Sequence, residues 1–547
     1  MPQPPNFLIL LTDQQRFDTI AAAGFHHMRT PNMDRLVREG CLFTNAYSPN
    51  PICVPARHCL LTGLPPRHHG FYDNSGQFIQ DDGIATLPQI LAENQYFTAA
   101  VGKMHFRPTR NHNGYLEMHL MEEGQRYRAD DAYATYLAEQ GFGDLRALHG
   151  VRPLIYHEPQ RALMPPEHHG EAWLARRAIE VLQKKAERPF FMTCGFIKPH
   201  PPWNIPAGWE NHYDGVELPE PIPGPRPPPY FTAESPWFGD HDSKEARRAI
   251  RAAYYTSISF VDQQIGLLLD YLEQQRLLDN TFIIFTSDHG EMLQDHGMYQ
   301  KAVPFESAAH IPFVVRAPNF FQHGSTDDRF VDLMDILPTV LDAANLDYYQ
   351  KPGRRAYRLP GDSIMRQESD RRDRTHQFAG FGRRETRWGF MRDHRYKYVY
   401  HYNGGIEYLF DLQSDPRELH NLADSPDRPQ EVYQRLRRKF IEHEQTWGPE
   451  ESLQDGDLAV WPCPPPDSAR GLGKYPNFAN HQPPRVGREA PEREGELLVN
   501  DIQAATNNAG PEYFQALAPE PFWLEQWQQL FIRDGGTPEQ CRRITGL

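Results

Sequence analysis

The sequence predicts an α/β fold: a large, mostly parallel sheet sandwiched by helices, followed by a small C-terminal antiparallel sheet. Three observations predict it. Apolar runs of strand length alternate with amphipathic helical stretches from residue 6 to about 345, the βαβ pattern of a parallel sheet covered on both faces. Polar and charged residues follow directly on the C-terminal ends of several of these runs. After about residue 380 the pattern changes to alternating polar and aromatic residues around an NGG turn, which reads as a hairpin.

Each element has its own signal. "NFLILLT" (6–12) is a continuous apolar run ending at Asp13, as a buried parallel strand reads. In "TPNMDRLVREG" (30–40), Thr30 suits the N-cap, Pro31 the first helical position and Gly40 the stop. "TLPQILAENQ" with "YFTAAVGK" (86–103) gives helix then strand, and "EAWLARRAIEVLQKKAERPFFMTCGF" (171–196) repeats it. Residues 257–291 do so again, ending in "TFIIFTSDHGE". "HIPFVVRAP" (310–318) is a further strand, and "VDLMDILPTVLDAANL" reads as a helix. Beyond it, "RWGFMRDHRYKYVYHY" (387–402) and "IEYLFDL" (406–412) flank the turn, and a helix is expected over 429–445. The expected organisation is an α/β domain over 1–375, an antiparallel subdomain with its helix over 376–449, and a proline-rich arm with a terminal aromatic helix over 450–547. No internal repeat is visible.

Bulk properties exclude some classes of function. Hydrophobic content of 39% and charged content of 24% describe a globular chain rather than a disordered one. A net charge of -15 argues against a nucleic-acid partner, but leaves room for a locally positive pocket. No apolar stretch is long enough to span a membrane, and the N-terminal run lacks the basic lead of a signal peptide. Cysteines at 41, 53, 59, 194, 463 and 541 form no CxxC pair, so free thiols in a reducing compartment, the cytoplasm, are expected.

The candidate chemistry sits where strands end. Asp13 follows the first strand, Lys103 and His105 follow "TAAVG", Lys198 and His200 follow "FFMTCGF", and Asp288 and His289 follow "TFIIFTS". Ligands of open α/β sheets bind at this edge. A lone Asp-His-Gly reads equally well as a polar turn. Paired with Asp13 at a matching strand end, Asp288 and His289 point to a divalent cation held by oxygen and imidazole. Arg57, Lys103 and Lys301 are suited to a tetrahedral oxyanion such as sulfate or phosphate, although a lone lysine is usually a solvated surface group. "NPICVPARHCLLTG" (50–63) places Cys53, Pro55 and Arg57 in the order Cys-x-Pro-x-Arg. From the residues alone, Cys53 is open to reading as a buried thiol, a disulfide half, a metal ligand or a nucleophile.

Cys53-x-Pro55-x-Arg57 leading to Leu61-Thr62-Gly63 resembles the signature of the type I sulfatases, of the alkaline phosphatase superfamily. "LLTDQQRFD", "TPNMDRL", "GKMHF", "KPHPPW", "FTSDHGEMLQDHGMYQKAVPFE", "IPFVVRAP" and "YLFDLQSDPRELHNL" resemble sulfatase segments in the family's order. The resemblance implies a sulfuric ester hydrolase with a large α/β domain and a small four-stranded sheet. It implies that a maturation enzyme oxidises Cys53 to Cα-formylglycine, and that Asp13, residue 53, Asp288 and His289 hold one divalent cation. Two departures matter: Gln14 stands where many sulfatases have a second aspartate, and His289 where they have asparagine. This set is similar to the choline-sulfatase and phosphonate monoester hydrolase branches. Calcium is the family default, and the imidazole makes manganese a competitor.

The resemblance also implies roles. The hydrated aldehyde attacks sulfur and forms a sulfate hemiacetal; His105 deprotonates the second hydroxyl, which expels sulfate. Arg57 holds the diol, Lys103 and Lys301 neutralise the sulfate oxygens, and His200 with Lys301 assists the leaving group. Asn74 in "YDNSG" lines the pocket or, more simply, forms a turn. The expected substrate is a small anionic sulfate ester. Its identity is left to loops over 106–170 and 202–245. A phosphonate monoester or phosphodiester hydrolase with the same nucleophile is the alternative. An inactive sulfatase-like binding protein is disfavoured, because every expected catalytic position holds a competent residue. The C-terminal arm is expected either to dock on a second subunit, giving a homo-oligomer, or to wrap over its own domain.

Overall fold

The computed structural model describes residues 4–463 apart from short stretches, of which 151–156, 229–242, 349–356 and 367–373 are the longest, together with 537 and 538. Most of the proline-rich arm and the expected terminal helix lie outside the described residues, and with them the expected docking of that arm.

The large sheet has eight strands. In chain order they are β1 (Asn6–Asp13), β2 (Cys41–Tyr47), β3 (Phe97–Gly102), β4 (Glu117–Leu120), β5 (Phe190–Pro199), β6 (Thr281–Ser287), β7 (Phe313–Arg316) and β8 (Ser325–Asp332). Their spatial order is β8-β2-β7-β6-β1-β5-β3-β4. β7 runs antiparallel to β2 and β6. The other neighbouring pairs are parallel.

Alternation along β1 shows why both faces are covered. Leu8 and Leu10 join one buried cluster, with Met33 and Leu36 of the helix Pro31–Glu39, Trp173 and Leu174 of Gly170–Lys184, and Ile258 and Ile265 of Lys244–Gln274. Phe7, Ile9 and Leu11 join another, with Ala56, Leu60 and Leu61 of the helix Cys53–Thr62 and Leu337 and Val340 of Ile336–Ala343. Each of the Leu, Ile, Val, Met and Phe side chains among them contributes roughly 1.5–3 kcal/mol by burial. The helix starting at Pro31 is capped from outside itself: Asp262 accepts the backbone N–H groups of Asn32 and Met33 at 3.0 and 2.7 Å. Thr30 instead donates to Asp34.

The second sheet is antiparallel, with strands β9 (Gln377–Phe381), β10 (Trp388–Arg392), β11 (Tyr396–His401) and β12 (Ile406–Asp411) in that order. One face packs Trp388, Phe390 and Phe410 against Tyr47, Phe305 and Phe330 of the large domain. The other carries Phe440 and Leu436 of the helix Gln430–Trp447. The stretch read as a helix from Val331 begins differently: Val331 and Asp332 close strand β8, and the α-helix starts at Ile336. Asp332 and Asp335 form a capping box at that junction. Among the described residues no helix is long and apolar enough to cross a membrane.

Candidate active site

Strand register brings the polar residues together. Thr12 of β1 pairs with Ser287 of β6, so Asp13 and Asp288 leave the sheet side by side. Gly102 ends β3 with φ 95°, and a Cβ there would meet the Gly195 carbonyl oxygen at 2.2 Å. The glycine lets β3 turn tightly against β5, and Lys103 N–H then donates to that carbonyl at 2.7 Å.

The stretch from Cys53 through Pro55 and Arg57 to Leu61-Thr62 is one buried helix, Cys53–Thr62. Pro55 sits in its first turn, where a missing N–H costs nothing. Gly63 ends it in the left-handed region, φ 67°, with its N–H on the Cys59 carbonyl. Cys53 and Arg57 are one turn apart and so share a face. Asn74, considered for the pocket or a turn, accepts the Val54 N–H at 3.0 Å and serves the start of this helix.

Arg57 is 4% exposed and spends its whole fork on the site. It donates to Asp288 Oδ2 at 2.8 Å, Asp13 Oδ2 at 2.9 Å and the Lys103 carbonyl at 2.6 Å. Lys103 Nζ lies 2.6 Å from Asp13 Oδ2 and also pairs with Glu123. Burial acts to raise the Asp13 pKa, but Lys103, His200, Arg57 and His289 outweigh it and hold the carboxyl well below the ordinary range. Asp13 is therefore an anion here.

Oxygen, sulfur and nitrogen atoms of Asp13, Cys53, Asp288 and His289 all lie within 4.8 Å of one another, and all four residues are buried. Cys53 Sγ is 3.2 Å from His289 Nε2 and 3.8 Å from Asp13 Oδ1. His289 Nδ1 faces the Gly290 carbonyl at 3.0 Å. That contact puts the proton on Nδ1 and leaves the Nε2 lone pair aimed at the cluster, as a metal-ligating histidine requires. Burial, chiefly, keeps the ring neutral by lowering its pKa. Two carboxylates, a neutral imidazole and residue 53 thus fit a divalent cation. Burial first, and Asp13 second, raise the pKa of the Cys53 thiol, so the unmodified side chain is a poor nucleophile.

Lys301 stands opposite. Its neighbours Gln300 and Ala302 both have positive φ, 75° and 65°, a local strain held by surrounding structure. Ala302 N–H donates to the Pro51 carbonyl, and Trp388 Nε1 of the small sheet donates to the Ala302 carbonyl at 2.8 Å. The second sheet therefore fixes the Lys301 loop. Lys301 Nζ is 2.9 Å from His200 Nε2 and also donates to the Gln14 side-chain oxygen. Gln14, whose ligand role the sequence left open, uses its amide on Lys301 and Glu291. Its backbone N–H donates to Asp288 Oδ1 at 3.1 Å.

His105 follows Lys103 at φ 57°, its backbone N–H on Glu122 at 2.7 Å. Among the described residues its buried Nδ1 has no hydrogen-bond partner. Burial and the neighbouring Lys103 push its pKa well below the ordinary value. Lys198 differs from its neighbours in the motif. Its Nζ turns into a cage of backbone carbonyls from His149, His200 and Pro202, so it braces the loop carrying His200. Sequence reading missed Glu122, Glu123 and Glu291. The "MEEG" that follows short strand β4 was the available signal for the first two.

A central β1 flanked by parallel strands, acidic and histidine side chains at their C-terminal ends and a small antiparallel sheet beside them define an alkaline-phosphatase-like protein. The structure of phosphonate monoester hydrolase of Agrobacterium radiobacter matches with TM-score 0.69 and 26% identity, over 81% of this chain and 95% of that one. The family model "Sulfatase" matches residues 5–346 and "N-sulphoglucosamine sulphohydrolase, C-terminal" matches 294–446. The chain belongs to the sulfatase family. Curated relatives include an arylsulfatase of Clostridium perfringens (strain 13 / Type A), 29% identical over 83% of this chain and 96% of its own length. A choline-sulfatase of Rhizobium meliloti (strain 1021) is 28% identical over 78% and 83%.

Proposed function

We propose that this enzyme hydrolyses sulfate monoesters, with residue 53 matured to formylglycine and a divalent cation held by Asp13, residue 53, Asp288 and His289. The observation that carries this reading is the convergence of those four buried side chains with Arg57, Lys103 and Lys301 around one strand edge. A bound cation supplies Lewis acidity and offsets charge on the ester. The hydrated aldehyde offers two hydroxyls, one to attack sulfur and one to release sulfate afterwards.

The protein's own groups do the rest. Arg57, pinned by two carboxylates, orients residue 53. Lys103 and Lys301 meet the sulfate oxygens as their charge grows. His200 Nδ1 lies 2.6 Å from the Pro201 carbonyl, so its Nδ1–H is donated there and Nε2 faces Lys301. That pair is positioned to pass a proton to the leaving oxygen. His105, neutral and with no partner for its Nδ1 among the described residues, is the base for sulfate release.

Calcium is the family default and manganese its competitor at the imidazole of His289. Elemental analysis of purified protein is expected to give one divalent ion per chain, lost in Asp13→Asn; retention of the full complement in that variant contradicts the ligand set. Free Cys41, Cys59, Cys194 and Cys463 suit the cytoplasm as its compartment.

Sulfate monoesters are expected to be preferred over phosphonate monoesters and phosphodiesters. Lys103 and His105 of "GKMHF" support this, supplying a cation and a base beside the ester. The test is kcat/KM on matched nitrophenyl sulfate and nitrophenyl phenylphosphonate. A preference for the phosphonate above about tenfold, roughly 1.4 kcal/mol at the transition state, overturns the sulfatase reading in favour of the phosphonate one.

A further inference from the structure

Glu123 is a carboxylate in a place where anion binding needs cations. Its side chain is 6% exposed. One oxygen pairs with Lys103 Nζ and the other lies 3.5 Å from His200 Nδ1. Both partners belong to the set proposed for the sulfate ester and its leaving group, and Glu123, His200 and Asp13 bring atoms within 4.8 Å of one another, a group that shares Asp13 with the four-residue cation site. We infer that Glu123 is a charge filter, a specificity residue that tunes this pocket to singly charged esters and against dianions. This rests on the proposed function of the same site.

Counting charges gives the reason. Arg57, Lys103 and Lys301 are the cations of the site, and Glu123 adds one negative charge to those of Asp13 and Asp288, with Glu122 and Glu291 buried close by. Whatever the net charge, a sulfate monoester at −1 meets that added charge once. A phosphate monoester at −2 gains from every added positive charge twice as much as the sulfate ester does. Removing Glu123 therefore improves dianion binding more than monoanion binding, by the interaction of one extra unit charge at short range. The released product, inorganic sulfate, is itself a dianion. Glu123 thus also favours product departure, because it repels sulfate more than it repels the ester.

The experiment compares the wild type, Glu123→Gln and Glu123→Asp on nitrophenyl sulfate, nitrophenyl phosphate and nitrophenyl phenylphosphonate, with inorganic sulfate as inhibitor. Glu123→Gln is expected to raise the phosphate-to-sulfate ratio of kcat/KM at least about tenfold. It is also expected to lower the inhibition constant of inorganic sulfate by a similar factor. Glu123→Asp keeps the charge, and its ratios should stay near wild type even if its rates fall. If Glu123 merely props Lys103 and His200, all substrates change in parallel in Glu123→Gln and the inference is overturned. The comparison of phosphate dianion with phosphonate monoanion reads the same charge difference without sulfate. A wild type that prefers phosphonates would therefore defeat the sulfatase reading while leaving the charge filter to be judged on this second ratio.

Discussion

Cys53→Ser is expected to lose turnover by roughly 10⁴-fold or more while the fold survives. Serine is close in size to cysteine, and residue 53 opens a helix whose Ile52–Thr62 framework is set by Pro55, Gly63 and Asn74 rather than by the thiol. Thermal unfolding should therefore be nearly unchanged. The chemistry should not survive. A serine hydroxyl can accept sulfate but has no second hydroxyl to expel it, so the variant stalls after at most one turnover. Cys53→Ala should be equally inert but show no trapped sulfate. A serine variant with near-normal steady-state turnover contradicts the need for two hydroxyls.

Arg57→Met is expected to be the second most damaging change, and it should damage stability as well as rate. Methionine keeps much of the volume but removes the fork that satisfies Asp13 Oδ2 and Asp288 Oδ2. Breaking a buried ion pair on one side costs about 3–5 kcal/mol, a large part of the 5–15 kcal/mol that typically holds a domain together. The loss should be greatest in chelator-treated protein, where the two carboxylates have no cation between them, and smaller with divalent ion in excess. Denaturant titrations with and without metal measure the difference. Equal destabilisation in both states would show that the two carboxylates do not share a bound cation.

Much of the fold was legible because its strands are extreme. β1, β5 and β6 are buried throughout, so they appear as largely apolar runs. β2 and β8 were not read, since "CLFTNAY" and "STDDRFVD" mix polar residues into an edge region of the sheet. β8 flows directly into a helix, which hid its end. The reversed direction of β7 left no local mark, because strand direction is decided by connections and not by composition.

The site was legible only in part. Residues at the ends of long strands, Asp13, Lys103, His200 and Asp288, announce themselves by position. Cys53 and Arg57 stand out in the Cys-x-Pro-x-Arg order, but their role comes from family resemblance, and the helix that puts them on one face was not read. Lys301 lies in a strained loop held by Trp388 from the second sheet, a long-range contact with no local signal. Glu123 was missed for a similar reason: "MEEG" marks a pair of acids, but β4 is short, and only the β3–β4 pairing carries one of them to Lys103.

The most direct measurement is the mass of the peptide carrying residue 53, taken from enzyme co-expressed with a formylglycine-generating maturase and assayed in parallel. The account predicts that formylglycine replaces the cysteine and that its fraction tracks specific activity from one preparation to the next. High activity in protein whose residue 53 is wholly unmodified cysteine contradicts it.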